Sequence, residues 1–339
     1  MRNLNCWAIT LCFIFLATAC TAENGSNEVP KAVRNSKDYL SLLPPNTAMV
    51  FYANFDALKK TSMGTELQNE LDEKVNEKDK DKDYLDFVAK TGLDPKKDIS
   101  EIWASGFPNQ EKETLGGAIV KGQFDKKRLL AYMEKEKSAQ INEESYEGQN
   151  IYLPEKDDTA FTFYGDHVLL IGKSEWIKTV IHQANNDGKS IRDNAKMMSY
   201  INDIPFKEHL WGVVDLNDYA DEWAQKLRKN KTPFKGTESL ENLTSIVFST
   251  KVEDKANVYI NGNFTTAEEA GLVADMFNGF IAMGKLMVSD DRDAIDMLNN
   301  IDVKTDGSKL IISTSVDKSF FDKVKEKQNK FANRRSKML

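Results

Sequence analysis

Ser245-Ile246-Val247-Phe248-Ser249-Thr250, followed by a turn and then Ala256-Asn257-Val258-Tyr259-Ile260-Asn261-Gly262-Asn263-Phe264, is the stretch on which the fold turns. It is rich in β-branched and aromatic residues, and a short charged interruption between its two runs marks a hairpin. After Phe264 the period changes. From Thr265 to Met287 the apolar residues Val273, Met276, Phe277, Phe280, Met283 and Met287 recur near helical spacing, which predicts a long helix. Thr265 with Glu268 three residues later has the pattern of a capping box and places the helix start there.

The same order of signals occurs earlier in the chain. Ile102-Trp103-Ala104-Ser105-Gly106-Phe107 and Leu115 to Phe124 form a second expected hairpin, ending in Gly122-Gln123-Phe124 where the other ends in Gly262-Asn263-Phe264, and a helix over Asp125 to Lys137 follows. Before each hairpin stands a strand-like run leading into helical sequence: Ala48 to Phe55 in one case, His209 to Leu216 with Tyr219 to Leu227 in the other. After each comes a strand pair and a closing helix. These are Ile151 to Leu153 with Phe161 to Ile171 and then Ser174 to Gln183, against Ile301 to Lys304 with Lys309 to Ser315 and then Ser319 to Lys330. The expected fold class is α+β: two similar halves of mostly antiparallel sheet, helices packed on one face, related by internal duplication.

Tyr39-Leu40-Ser41-Leu42-Leu43-Pro44-Pro45-Asn46-Thr47-Ala48-Met49-Val50-Phe51, with Asn54 and Leu58 beyond, and Thr91-Gly92-Leu93-Asp94-Pro95-Lys96-Lys97-Asp98-Ile99 carry a resemblance. They resemble stretches of uncharacterised bacterial cell-envelope lipoproteins with a duplicated α+β domain. The resemblance implies an envelope location and brings no catalytic residues. Physically the same residues are fold signals: Pro44-Pro45 turns the chain into a strand, Gly92 ends a helix, and Asp94-Pro95 starts a turn.

The N-terminus agrees with that location. Arg2 precedes an apolar run from Cys6 to Ala17, and Ala17-Thr18-Ala19 puts small residues before Cys20, the tripartite form of an export signal. The run is much shorter than the roughly 20 apolar residues of a spanning helix. Cys20 is the only cysteine after the leader, so disulfides are not expected and acylation of Cys20 is. More than one acyl chain gives a stable membrane anchor; a secreted soluble protein is the alternative. The expected organisation is a signal peptide over 1–19, a lipid-anchored tether over 20–37, a first half over 38–192 and a second over 193–335. Thr21 after the cysteine, in place of aspartate, points to the outer membrane facing the periplasm if the host is Gram-negative.

The chain has 339 residues, 46 basic against 53 acidic, and a formal charge of −7. This balance argues against nucleic acid as a partner. The basic tail, Lys327, Lys330, Arg334, Arg335 and Lys337, reads as a solvated helix end.

Motifs for chemistry fail on spacing. Gly172-Lys173-Ser174 and Gly188-Lys189-Ser190 lack the leading glycine of a phosphate loop, with His167 and Gln183 in its place. Ser315-Val316-Asp317-Lys318 has no companion motifs of a penicillin-interacting enzyme. Asp79, Asp81 and Asp83 imitate half a calcium loop, but Tyr84 replaces its glycine and Lys90 its glutamate. Asp290, Asp291, Asp293 and Asp296 read as a helix break with acidic residues at the new N-terminus. His167, His182 and His209 form no metal-ligand spacing, so neither metal nor cofactor is expected. Trp103 and Trp211, at comparable places in the two halves, read as core packing or as packing between the halves.

The functional expectation is a noncatalytic lipoprotein that binds a hydrophobic ligand or an envelope protein, held to the membrane by the acyl chains on Cys20. Met276, Phe280, Met283 and Met287 are its candidate binding residues, because methionine adapts to irregular apolar surfaces; packing into the core is the competing role for such a stripe. The alternatives are an envelope hydrolase with a dispersed carboxylate site, which leaves no spacing to recognise, and a purely architectural component.

Overall fold

The computed structural model describes residues 39–66, 81–109, 113–137, 141–155, 159–164, 167–186, 188–217 and 237–318. The strands are β1 (Met49–Asn54), β2 (Ile99–Pro108), β3 (Thr114–Gly122), β4 (Ile141–Tyr146), β5 (Gln149–Pro154), β6 (Thr159–Tyr164), β7 (Val168–Lys173), β8 (Leu210–Asp215), β9 (Leu243–Val252), β10 (Lys255–Phe264), β11 (Asp302–Asp306) and β12 (Lys309–Asp317). The helices are α1 (Phe55–Leu58), α2 (Asp81–Thr91), α3 (Pro95–Asp98), α4 (Lys126–Lys137), α5 (Ser174–Asn185), α6 (Ala195–Asn202), α7 (Ala267–Met287) and α8 (Arg292–Asn299). The class is α+β with extensive antiparallel sheet.

The chain forms two compact units, one drawing its described residues from Met1–Thr47 and Asp72–Asp193, the other from Ala48–Leu71 and Asn194–Leu339. The strand β1 that precedes the first hairpin in sequence therefore lies in the second unit. It pairs with β8 from Met49↔Val214 to Ala53↔Leu210.

In the first unit the strand order is β2-β3-β7-β6-β5-β4. Close approach at Gly117↔Gly172 sets its packing: Trp176 of α5 lies directly over Gly117, is fully buried, and donates its indole N–H to Ser105 Oγ at 3.0 Å. Trp176, Ile177, Val180, Ile181 and Ala184 form the buried stripe of α5, spaced for one helix face. Thr162 shares the row of Leu170 and Ile119, hence the α5 side, so Phe161 and Phe163 point the other way. There Phe163 meets Phe124 at 6.4 Å, and Lys126 of α4 lies over the Tyr152 ring at 5.5 Å.

In the second unit the order is β1-β8-β9-β10-β12-β11. Val214 and Leu216 pack into a cluster with Leu243, Phe264, Leu310 and the α7 residues Ala270, Val273 and Ala274. Asp215, between them, faces the opposite side and pairs with Lys196 of α6 at 2.6 Å. Trp103 packs against Tyr39 and Trp211 against Tyr52, each within its own unit.

Several expectations need correction. Within each unit helices pack on both faces of the strands, not one. The reason is legible in β6, whose residues from Ala160 to Tyr164 are all buried; a strand apolar on both sides needs cover on both. The run Phe161 to Ile171 is not one strand but the antiparallel pair β6 and β7, reversing between Tyr164 and Val168, which stand opposite each other. The edge strand β4 was not expected, because its Asn142, Glu143 and Glu144 carry the polarity of an edge and hide the alternation. Helix α6 was also not expected. The capping box lies one residue later than predicted: Thr266 accepts from Glu269 N at 3.3 Å, and Glu269 accepts from Thr266 N at 3.0 Å. Thr265 instead donates to Asn242 O. The helices expected over Tyr219 to Leu227 and Ser319 to Lys330 lie outside the described residues, as do the leader, the tether and the basic tail.

Candidate functional site

Helix α7 spans 21 residues, roughly 31 Å at 1.5 Å per residue. Its first turns dock: Ala270, Val273 and Ala274 are buried, and Met276 and Phe277 lie half-buried against the same cluster. From Asp275 to its end the helix has no buried residue. Leu272, Met283, Leu286 and Met287 are instead exposed, at 48%, 42%, 78% and 81%. Projected at 100° per residue, these four with Gly279 form a second apolar face roughly 140° around the helix from the docked one.

The four predicted residues divide between those faces. Met276 and Phe280 sit on the flank between them, half-buried, and Phe280 meets Phe277 edge-on at 6.4 Å. Met283 and Met287 belong to the exposed face. Leu272 and Leu286 were missed. The signal that would have found them is the alternating spacing of four and three residues through Leu272, Met276, Gly279, Met283 and Leu286. Reading all the apolar residues as one stripe merged two faces into one.

Beyond α7 the chain turns. Val288 N–H closes the helix onto Gly284 O at 3.1 Å, and Asp291 caps α8 by accepting from Ala294 N at 3.1 Å. The acidic run is therefore a helix start, as its spacing suggests. Helix α8 leans on α7 where Gly284 leaves room: a Cβ there would stand 3.3 Å from Leu298 Cδ1. No residue of α8 is buried. Between α8 and the end of β12 lies an open pocket of about 350 Å³, lined by Met297, Leu298, Ile301 and Val316 and by the carboxylates Asp293, Asp296 and Asp317.

The other candidate chemistry is dispersed. His182, exposed at the end of α5, pairs with Glu147 at 2.6 Å, and Asn185 holds the same carboxylate at 3.0 Å. These hydrogen bonds from His182 and Asn185 hold the Glu147 carboxyl below its ordinary range. His209 is buried and accepts from Val252 N at 3.2 Å, and burial pushes its pKa down. Ser315 lies on strand β12 opposite Asn257. Asp81 and Asp83 belong to α2, with Asp79 outside the described residues. Among the described residues no group of three His, Cys, Asp or Glu side chains is placed to hold a metal ion, and no helix is long and apolar enough to cross a membrane. Cys20 lies outside the described residues.

No protein-family model matches the chain, and no curated protein matches it. Among solved structures it is similar to TP0453 in its crystal form I, at 9% sequence identity and a TM-score of 0.43, with 84% of this chain and 94% of that one covered.

Proposed function

We propose that the protein is a noncatalytic cell-envelope lipoprotein, built of two duplicated halves, that binds a hydrophobic ligand or an envelope protein through the distal half of α7. A signal peptide over 1–19 exports it, and acylation of Cys20 fixes it to a membrane, the periplasmic side of the outer membrane in a Gram-negative host. The observation that carries the binding role is the exposed Leu286 and Met287 on a helix whose other end is docked in a core. A soluble domain gains nothing from contiguous apolar surface left in water, and such patches mark places of contact. The tether would present this surface away from the membrane.

Two measurements test the reading. Metabolic labelling with radioactive palmitate is expected to mark the protein and to lose the label in Cys20→Ser; an unlabelled wild type refutes the anchor. Native mass spectrometry of the intact chain is expected to show a carried apolar molecule or a co-purified protein, lost in Met283→Ser/Leu286→Ser. A bare chain that also copurifies with nothing from gently solubilised membranes refutes the binding role.

A further inference from the structure

We propose that the second apolar face of α7 is the seat of a basic amphipathic helix belonging to a partner protein. The inference rests on the reading of distal α7 as a binding surface and names what it binds. Along this face and its flank Leu272, Met276, Gly279, Met283 and Leu286 follow one another at four- and three-residue intervals, the spacing at which one helix receives the knobs of another, with Met276 half-buried where the seam meets the docked side. The seam runs for two heptads, about 21 Å. At its centre Gly279 has open space where a Cβ would stand, a hole for one large apolar side chain of the incoming helix. A convex ridge of this kind suits a helix; an acyl chain needs a concave enclosure that covers most of its surface.

Charge selects among helical and planar partners. From Ala267 to Asn299 the chain carries seven acidic residues and two basic ones, Lys285 and Arg292. Glu268 stands near one end of the seam and Asp275 beside it, and Asp290 follows its other end in the chain, all exposed. A second copy of the chain would bring these carboxylates together in either helix direction. An anionic lipid surface would be repelled as well. A helix with leucine-like knobs flanked by lysine or arginine meets both the apolar seam and its acidic ends.

The test uses the intact protein and a fluorescein-labelled two-heptad peptide of leucine and lysine, with a leucine–glutamate peptide of the same length as its counterpart. Anisotropy is expected to show binding of the lysine peptide that weakens between about 0.05 and about 0.3 M salt. Met283→Ser/Leu286→Ser is expected to weaken it about tenfold, with circular dichroism and the urea midpoint confirming that the variant folds. Glu268→Gln/Asp275→Asn is expected to weaken it several-fold, whereas Glu143→Gln/Glu144→Gln on β4, in the other unit, leaves it unchanged. Equal binding of the glutamate peptide, or equal loss in the β4 variant, overturns the proposal. So does a protein that ignores both peptides but floats with phosphatidylglycerol vesicles or sediments as a dimer through the same residues; those outcomes retain α7 as a binding surface and replace its occupant. Failure to bind peptides, vesicles and itself overturns the proposal, and the reading beneath it falls with it only if the chain is also bare by native mass spectrometry and copurifies with nothing.

Discussion

Gly116 and Gly117 are adjacent in β3 and face opposite sides of the sheet, so the same substitution has opposite consequences at the two positions. A Cβ on Gly117 would stand 2.3 Å from Trp176 Cε3 and 2.8 Å from Ile171 O, one of them a buried ring and the other backbone. Gly117→Ala is expected to cost about 1–3 kcal/mol as Trp176 is forced from its place, and to disturb the indole hydrogen bond to Ser105. At Gly116 the nearest atom is Ser105 O at 3.4 Å, an ordinary contact. Gly116→Ala is expected to be neutral or to stabilise by up to about 1 kcal/mol through the unfolded chain. Urea midpoints of the two variants check both signs. His209 makes a second prediction. Burial is the main cause that lowers its pKa below the ordinary 6.5, against the opposing pull of Glu208 and Glu253. The native state therefore binds fewer protons than the unfolded chain, so its contribution to stability is complete above about pH 6.5 and is lost as pH falls through the depressed native value. Protonation also removes the acceptor for Val252 N–H. Stability is expected to fall as pH drops below about 6.5, and His209→Gln to flatten that dependence while losing about 1–3 kcal/mol at neutral pH. A slope unchanged by the substitution would assign the pH dependence to other groups. The sequence identified Gly92, at φ +74, as a helix end, because turn chemistry is local, but it read Asp94-Pro95 as a turn where Asp94 caps α3. It said nothing about Gly117 or His209, whose environments are supplied by Trp176 and Val252, distant in sequence.

Helix α7 joins two regimes in a single element. Its start is secured by the Thr266–Glu269 box and by Ala270, Val273 and Ala274 in the core, while its last turns carry apolar side chains in water. Val273→Asp is expected to destabilise the second unit by several kcal/mol, since it buries an unpaired carboxylate. Leu286→Asp is expected to change the thermal midpoint little, within about 0.5 kcal/mol. Equal damage from the two would mean that the distal turns are packed in solution. Thr266→Ala falls between, at about 0.5–2 kcal/mol for a lost cap. The helix and its hairpin were legible in sequence because long periodic runs are set by local pattern. The division of α7 into docked and exposed faces was not: both carry the same residue types, and only the placement of Leu243, Phe264 and Leu310 decides which face they claim. The division of Phe161 to Ile171 into β6 and β7 was hidden for a related reason, since a strand covered on both sides loses the alternation that marks its ends.

At the scale of the whole molecule, the compact units do not follow the order of the chain. The segment carrying β1 precedes the first hairpin in sequence yet is riveted into the second unit. Val50 is fully buried opposite Val213, and Met63 packs with Val252 and Ala256. Ser62 donates to Asp254 at 2.6 Å, and Lys318 reaches Glu66 at 3.2 Å. Repetition of element order along the sequence could not reveal this exchange, because antiparallel pairing is chosen by partners far apart in the chain. It has a direct consequence for dissection. A fragment 194–339 lacks the partner of β8 and leaves its edge open. Loss of two fully buried side chains, Val50 and Met63, removes about 3–6 kcal/mol of apolar burial, comparable with the whole stability of a domain at about 5–15 kcal/mol. That fragment is expected to aggregate or to give a collapsed amide spectrum. Joining residues 48–71 ahead of residue 194 through a flexible linker is expected to restore dispersed resonances and a cooperative urea transition. If 194–339 folds cooperatively alone, β1 is a surface addition to the second unit and not one of its structural strands.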